Sequence, residues 1–395
     1  MPIPSPFHER TAPLCHSYRW KEWAGHLAVC SYDTTIDREY FAFRQSAGLL
    51  DASPLIKYDV RGKDAGAFLS RLSVRPVDAL KVGRAVYTCW TDDRGHVIDD
   101  GTIARLDDDH YRVTTGDPEL WWLERNRRGY EVTIEDTTQQ IAVLALQGPN
   151  SRAILQACSD ADLGSLGYFG LTQTKLDDHD VLISRTGYTG DLGYEVWIDA
   201  PKALPLWDAI TSAGKPYGIE PAGLDALDVT RIEAGYLLLG IDYLSAPRCL
   251  LASQKSNPYE IGLGWMVRLD REPFIGQAAL REAKASGSPW SFVGLDISWP
   301  ALEELCSRFS VPPALPAHAW RCSIPIYDRH RQIGYATSGT WSPTLKQNLA
   351  LATIATDHAA VGTEVDIEVT VEHERHTVPA TVVDRPFFDP PRRRS

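Results

Sequence analysis

Three stretches of the 395-residue chain bring together side chains that could do chemistry. The densest is Arg185-Thr-Gly-Tyr-Thr-Gly-Asp-Leu-Gly-Tyr-Glu195, a turn with three glycines that delivers a carboxylate onto the start of a strand. Gly187, Gly190 and Gly193 permit positive φ or close backbone approach, so a flat ligand could lie against this loop. Glu195 runs against its surroundings, because Tyr194, Val196, Trp197 and Ile198 are all apolar or aromatic. A carboxylate buried there without a partner is costly. A heteroaromatic ring presenting two adjacent N–H donors would satisfy both oxygens, and so would a cation such as Arg185 reaching across a hairpin.

The second stretch is Gly95-His-Val-Ile-Asp-Asp-Gly101. Successive strand side chains point to opposite faces, so one of Asp99 and Asp100 looks inward. An inward aspartate could orient or exchange a proton with an amine in a cleft; the plain alternative is an aspartate that closes a turn. The third is residues 221–240, PAGLDALDVTRIEAGYLLLG, where Asp228, Arg231 and Glu233 share a mostly apolar helix. These charges read either as ion pairs that fix the helix or as contacts to a ligand. Trp265, in Gly262-Leu-Gly-Trp265, offers an aromatic face for stacking or for the core. Histidines and the seven cysteines form no metal-ligand spacing, and phosphate loops and nucleophile elbows are lacking, so no metal centre is expected.

The elements that must position these groups alternate without a strict rhythm. Apolar periodicity predicts a helix over 39–49, a strand over 57–60 and a helix over 63–72 whose stripe is Ala65, Phe68, Leu69 and Leu72. Strands at 86–90 and 97–103 flank Thr-Asp-Asp-Arg-Gly as a hairpin would, and 111–115 follows. An apolar run at 141–146 ends at Gly148-Pro149, and a helix restarts at 151–157 with Asn150 or Ser151 placed to cap it. Strands at 181–184 and 194–198 precede helices at 201–213 and 223–235. Beyond residue 269 short strands at 324–327, 333–337, 349–354 and 365–371 suggest an all-β unit, with Pro325 confining the first to a sheet edge. The Pro-rich stretch 300–316 reads as a loop or insertion. The fold class is therefore α+β, with residues 1–270 forming two interleaved α+β domains and 271–395 a C-terminal β-barrel.

A net charge of -12 argues against a polyanion or an anionic membrane as partner. The N-terminal residues lack a secretory pattern and no segment has 18 uninterrupted apolar residues, so the cytoplasm is the expected location.

The order of the motifs adds what each alone lacks. Leu49-Leu-Asp-Ala-Ser53, Tyr87, Ile98-Asp-Asp100, Ala145-Leu-Gln-Gly-Pro149, Arg185-Thr-Gly-Tyr-Thr-Gly190, Gly193-Tyr-Glu195, Arg231-Ile-Glu-Ala-Gly235, Gly240-x-Asp242, Glu260-x-Gly-Leu-Gly-Trp265 and Ser342-Pro343 stand in sequence over nearly the whole chain. Together they resemble the aminomethyltransferase (T-protein) family of the glycine cleavage system. The resemblance implies a three-domain cloverleaf with tetrahydrofolate in a central channel. It implies Asp100 at the reacting centre and Glu195 on the pterin, with Tyr188 and Trp265 lining the channel. By the same resemblance Tyr87, Arg185 and Arg231 are candidate cofactor-binding residues.

Departures from the family pattern fall where a substrate would meet the cofactor. Ala226-Leu227-Asp228 stands where Ala-Arg-Asp is usual, Thr115-Gly116 replaces Asn-Ala, and the segment between Asp242 and Glu260 is long. These changes suggest a demethylase or methyltransferase taking a methyl or methylene group from a small N-, O- or S-linked molecule, in preference to a lipoyl carrier protein. A folate-binding accessory role is disfavoured, because residues 274–280 lack the Lys-Gly-Cys motif of the relatives that assist iron-sulfur cluster assembly.

Overall fold

The structure, a computed structural model, describes residues 1–395. The chain opens with α1 (His8–Thr11) and a hairpin of β1 (Arg19–Trp23) and β2 (His26–Ser31), followed by α2 (Asp37–Gln45) and β3 (Ala47–Asp51). It then runs through β4 (Ile56–Arg61), α3 (Ala65–Leu72), β5 (Arg84–Thr91), β6 (Val97–Asp107), β7 (His110–Thr115), α4 (Leu120–Asn126) and β8 (Thr133–Asp136). Next come β9 (Ile141–Gln147), α5 (Ser151–Cys158), β10 (Leu171–Leu176), β11 (His179–Ser184), β12 (Gly193–Asp199), α6 (Ala203–Gly214), β13 (Ile219–Pro221) and α7 (Leu224–Glu233). The last third holds α8 (Gln277–Ser286), β14 (Trp290–Ile297), α9 (Trp299–Arg308), β15 (Ile324–Asp328), β16 (Arg331–Ser342), β17 (Gln347–Ala355), β18 (Glu364–Val371) and β19 (Glu374–Val383).

Three sheets organise these elements. The chain contributes β3 to a six-stranded sheet of order β10-β11-β12-β9-β3-β13, leaves to build the whole of a five-stranded sheet β5-β6-β7-β4-β8, then returns with β9. Strands β14-β17-β16-β15-β18-β19 close into a barrel. One face of the five-stranded sheet carries Val86, Trp90, Ile103, Tyr111 and Val113 into a core with Phe68, Leu69 and Leu72 of α3. The stripe expected of that helix is therefore the face it buries, where each large side chain contributes about 1.5 to 3 kcal/mol. The α+β class and the C-terminal barrel agree with the sequence reading.

Helix α7 ties the units together through charge. Glu233 accepts hydrogen bonds from Tyr40 (2.6 Å) and Ser342 (2.5 Å) and pairs with Arg44 (2.5 Å). Asp228 bridges Arg231 and Arg321, both at 2.7 Å. Buried charges of this kind persist only when each is answered.

Four local expectations are corrected. The helix predicted to reach residue 49 stops at Gln45, and Leu49 belongs to β3, which pairs with β9 in the six-stranded sheet; a strand buried on both faces carries the same apolar run as a helix. Residues 299–308 form α9 instead of a loop, because Pro300 occupies the first turn, where its missing N–H costs nothing, and Ser298 caps the Ala301 N–H. Pro325 lies in a closed barrel, not at an edge; β18 pairs with β15 only at Ile326 and Tyr327, so proline's missing donor interrupts no ladder there. Neither Asn150 nor Ser151 caps α5 through its side chain, since the Asn150 amide turns to the Tyr217 carbonyl at 2.9 Å.

Candidate functional site

Two sheets face one another across a narrow cleft. The five-stranded sheet offers Thr102, Arg112 and Thr114, and the six-stranded sheet answers with Ser184, Glu195 and Trp197. Asp100 and Thr102 are two residues apart on β6 and so share the cleft face, about 7 Å apart along the strand. Tyr87 and Cys89 lie directly opposite Thr102 and Asp100 on β5. The alternation of β6 thus turns Asp100 to the same face as Thr102, which lines the space that Glu195 enters from the other side.

Glu195 is not sealed in an ion pair. One oxygen accepts from Thr186 Oγ1 at 2.8 Å and Ser184 Oγ at 3.4 Å, and the other takes no hydrogen bond from the protein. Burial raises its pKa above the usual carboxylate value, opposed by those two hydroxyls. The side chain is enclosed by protein on most sides while part of its surface opens to the cleft.

The glycines of the turn have a different purpose from the one expected. A Cβ on Gly187 or Gly193 would sit 1.9 or 2.1 Å from the Gln147 side-chain oxygen, and one on Gly190, at φ +74°, would meet Ala234 at 2.5 Å. Gln147 fills that space and donates to the Thr186 and Tyr194 carbonyls at 3.2 and 3.3 Å. The glycines admit a glutamine that braces the turn, not a flat ligand.

Asp100 is held by two phenols. Tyr87 donates to one carboxylate oxygen at 2.6 Å and Tyr243 to the other. Burial raises the Asp100 pKa, and the two tyrosine hydrogen bonds pull against it. Asp99 projects to the opposite face, fully buried, and accepts the Asp100 N–H at 2.7 Å; burial beside Asp100 pushes its pKa well up. Both aspartates are therefore enclosed, one toward the cleft and one toward the core.

The other candidates divide. The Tyr188 ring stacks on Tyr236 (centroids 5.4 Å, 25° between planes) and its hydroxyl donates to the Leu237 carbonyl. Trp265 is 58 % exposed, with the Arg75 guanidinium 5.7 Å from its ring, and Arg75 in turn donates to the Tyr87 carbonyl at 3.1 Å. The Arg185 guanidinium donates to main-chain oxygens of Leu166, Arg393 and Ser395, which ties it to the C-terminal residues. Arg231 is 1 % exposed and pairs with Asp228 (2.7 Å) and Asp242 (2.6 Å), the ion pairs offered as one reading of its helix, while its Nη2 has no partner. Tyr243 was not singled out from sequence; its only local signal is its place just after Gly240-x-Asp242.

Residues 8–271 match the family described as the GCVT N-terminal domain, and residues 314–389 match the glycine cleavage T-protein C-terminal barrel domain. The chain belongs to the aminomethyltransferase (T-protein) family. An aminomethyltransferase of Caldanaerobacter subterraneus subsp. tengcongensis is 32 % identical over 93 % of this chain and 91 % of its own. One from Geobacillus thermodenitrificans is 34 % identical over 90 % of each. The glycine cleavage system aminomethyltransferase T from Bartonella henselae shares the fold at a TM-score of 0.83, covering 98 % of this chain and 99 % of its own at 23 % identity.

T-protein family membership makes the chain a tetrahydrofolate-dependent transferase. The residues present fit such a group. The unpartnered Glu195 oxygen is an acceptor awaiting donors, and Trp197 and the threonines give the cleft both apolar and hydrogen-bonding walls.

Proposed function

We propose that this chain transfers a one-carbon unit from an aminomethyl donor to tetrahydrofolate, the activity for which its relatives are named. The observation that carries the reading is that Glu195 enters a cleft whose opposite wall includes Thr102, the neighbour of Asp100 on the same face of β6. Reduced folate supplies the nitrogen that accepts the carbon.

The chain's own residues do the rest. Glu195 orients the pterin through its unpartnered oxygen. Asp100, with a raised pKa and two hydrogen-bonded oxygens, takes or returns a proton at the donor or leaving nitrogen. Trp197 and the facing sheets exclude water from that contact. Holding both reactants in one cleft accounts for up to about 7 to 11 kcal/mol of barrier reduction when alignment is good.

In this reading the donor is the aminomethylated arm of a lipoyl carrier protein. A second reading, demethylation of a free methylated molecule, is favoured by Leu227, which packs on the core where the family pattern has an arginine and so brings no charge to the site. Turnover with tetrahydrofolate and an aminomethylated carrier, compared with a panel of free methylated amines and aryl ethers, separates the two. Activity confined to the free molecules overturns the carrier reading, and no activity with either donor class overturns both.

A further inference from the structure

Tyr243 leaves α7's neighbourhood on a tight turn in which the Gly240 N–H donates to the Tyr243 carbonyl at 2.8 Å, with Gly240 at φ +83°. Asp242, the residue before it, is fixed on every side. It accepts from Arg231 (2.6 Å), the Leu238 N–H (2.8 Å), Thr337 (2.5 Å) and Ser338 (2.8 Å). Thr337 and Ser338 belong to barrel strand β16, so the barrel holds the turn. The Tyr243 side chain is 4 % exposed, and its hydroxyl reaches Asp100 across 143 residues of chain.

We propose that Tyr243 is a positioning residue for the transfer reaction, its hydroxyl clamping one oxygen of Asp100 while Tyr87 clamps the other, so that the carboxylate presents a single fixed edge to the cleft. The inference rests on the transferase reading above. An aspartate side chain with one free oxygen can swing about its terminal torsion, which is broad and roughly two-fold. Two phenols on opposite oxygens remove that freedom at the point of reaction, where misplacement is costly.

The groups facing Asp100 from each packed element are Tyr87 and Cys89 of β5, Asp99 beside it, Tyr188 of the glycine-rich turn, and Asp242 and Tyr243. Apart from the two phenol donors, none of these side chains stabilises a charged Asp100. The hydroxyls are therefore the side-chain groups that oppose the upward push of burial on the Asp100 carboxyl.

The test uses the full chain with carboxyl-labelled aspartate, and the Asp100 resonance is assigned by its loss in Asp100→Asn. In Tyr243→Phe the Asp100 titration midpoint is expected to rise by about one pKa unit or more, the size of a lost hydrogen bond to a charged group. Turnover should fall about tenfold while KM for tetrahydrofolate stays within about twofold, the pattern of an interaction made mainly in the transition state. Replacing the Tyr243 ring by its 3-fluoro analogue, a stronger donor, should move the midpoint the other way, which a merely structural ring would not do. A midpoint unmoved in both proteins overturns the inference even where turnover changes. A midpoint that moves as expected in a chain lacking tetrahydrofolate-dependent turnover overturns the proposed function and leaves the clamp standing.

Discussion

Glu195 leans on Thr186 at 2.8 Å with one oxygen and leaves the other to the cleft. The hydroxyl fixes the carboxylate plane without consuming the oxygen that a ligand needs. No arginine, lysine or histidine lies within ion-pairing distance of Glu195, and its only protein partners are the two hydroxyls on one oxygen.

Glu195→Gln should weaken tetrahydrofolate binding about 10- to 100-fold, the worth of a charge-assisted hydrogen bond. Calorimetric titration of the reduced cofactor into the two proteins measures it directly. An unchanged Kd would remove Glu195 from the cofactor site.

Asp100→Asn keeps the shape and both phenol contacts but cannot exchange a proton at the same pH. Turnover should fall about 10²- to 10⁴-fold, the range of general acid–base contributions, with cofactor affinity little changed. Near-normal steady-state turnover in this variant would end the assignment.

Arg231→Met removes the cation between Asp228 and Asp242, leaving Asp228 to Arg321 alone and Asp242 with only neutral donors. A loss of about 3 to 5 kcal/mol of stability is expected, read by urea unfolding, because breaking one partner of a buried pair strands the other. A variant as stable as the parent would mean that Arg321 and the serine and threonine hydroxyls suffice.

Arg185→Met should cost about 1 to 3 kcal/mol, since its hydrogen bonds to chain-end carbonyls are lost, while tetrahydrofolate affinity stays within about twofold. Unfolding curves and cofactor titration on one preparation give both readings. A large affinity loss with unchanged stability would place Arg185 in the cofactor site.

Glu119, at the start of α4 against the five-stranded sheet, is one of the groups that make stability depend on pH. It is 3 % exposed beside Trp90 and Trp122, one oxygen has no partner, and burial with a repulsive Asp117 raises its pKa to about 7. The folded pKa lies above the unfolded one of about 4.3. Between those values the unfolded state has lost the proton that the folded state keeps, so stability falls as pH rises from about 4.3 to about 7 and the loss is complete above that. Glu119→Gln should remove its share of this slope, beside that of Glu39, and be more stable than the parent at pH 8 by about 2 kcal/mol, allowing for solvent screening. Equal slopes in urea unfolding at pH 5 and pH 8 would contradict it.

Strands with alternating burial were legible in the sequence because alternation is a local property. The hairpin of β5 and β6, the β9 run and the four barrel strands lie close to where their patterns put them. Leu49 was misplaced because an apolar run buried on both faces has no period to read. Glu195 stood out as a carboxylate set among apolar neighbours, and Asp100 as one of an adjacent acid pair that the family resemblance singled out. Arg185 and Arg231 stood out as charges, but a sequence shows a charge without showing where the side chain points. Tyr243 has only its place after Gly240-x-Asp242 to mark it, since its meaning comes from a carboxylate 143 residues away.

The four-way hold on Asp242 carries a consequence for assembly. Its donors come from a helix, a loop and a barrel strand separated by about a hundred positions, so the turn acquires its final shape only once β16 is in place. A nascent chain that has completed both open sheets still owns an unfinished centre, and competence arrives with the last unit to fold.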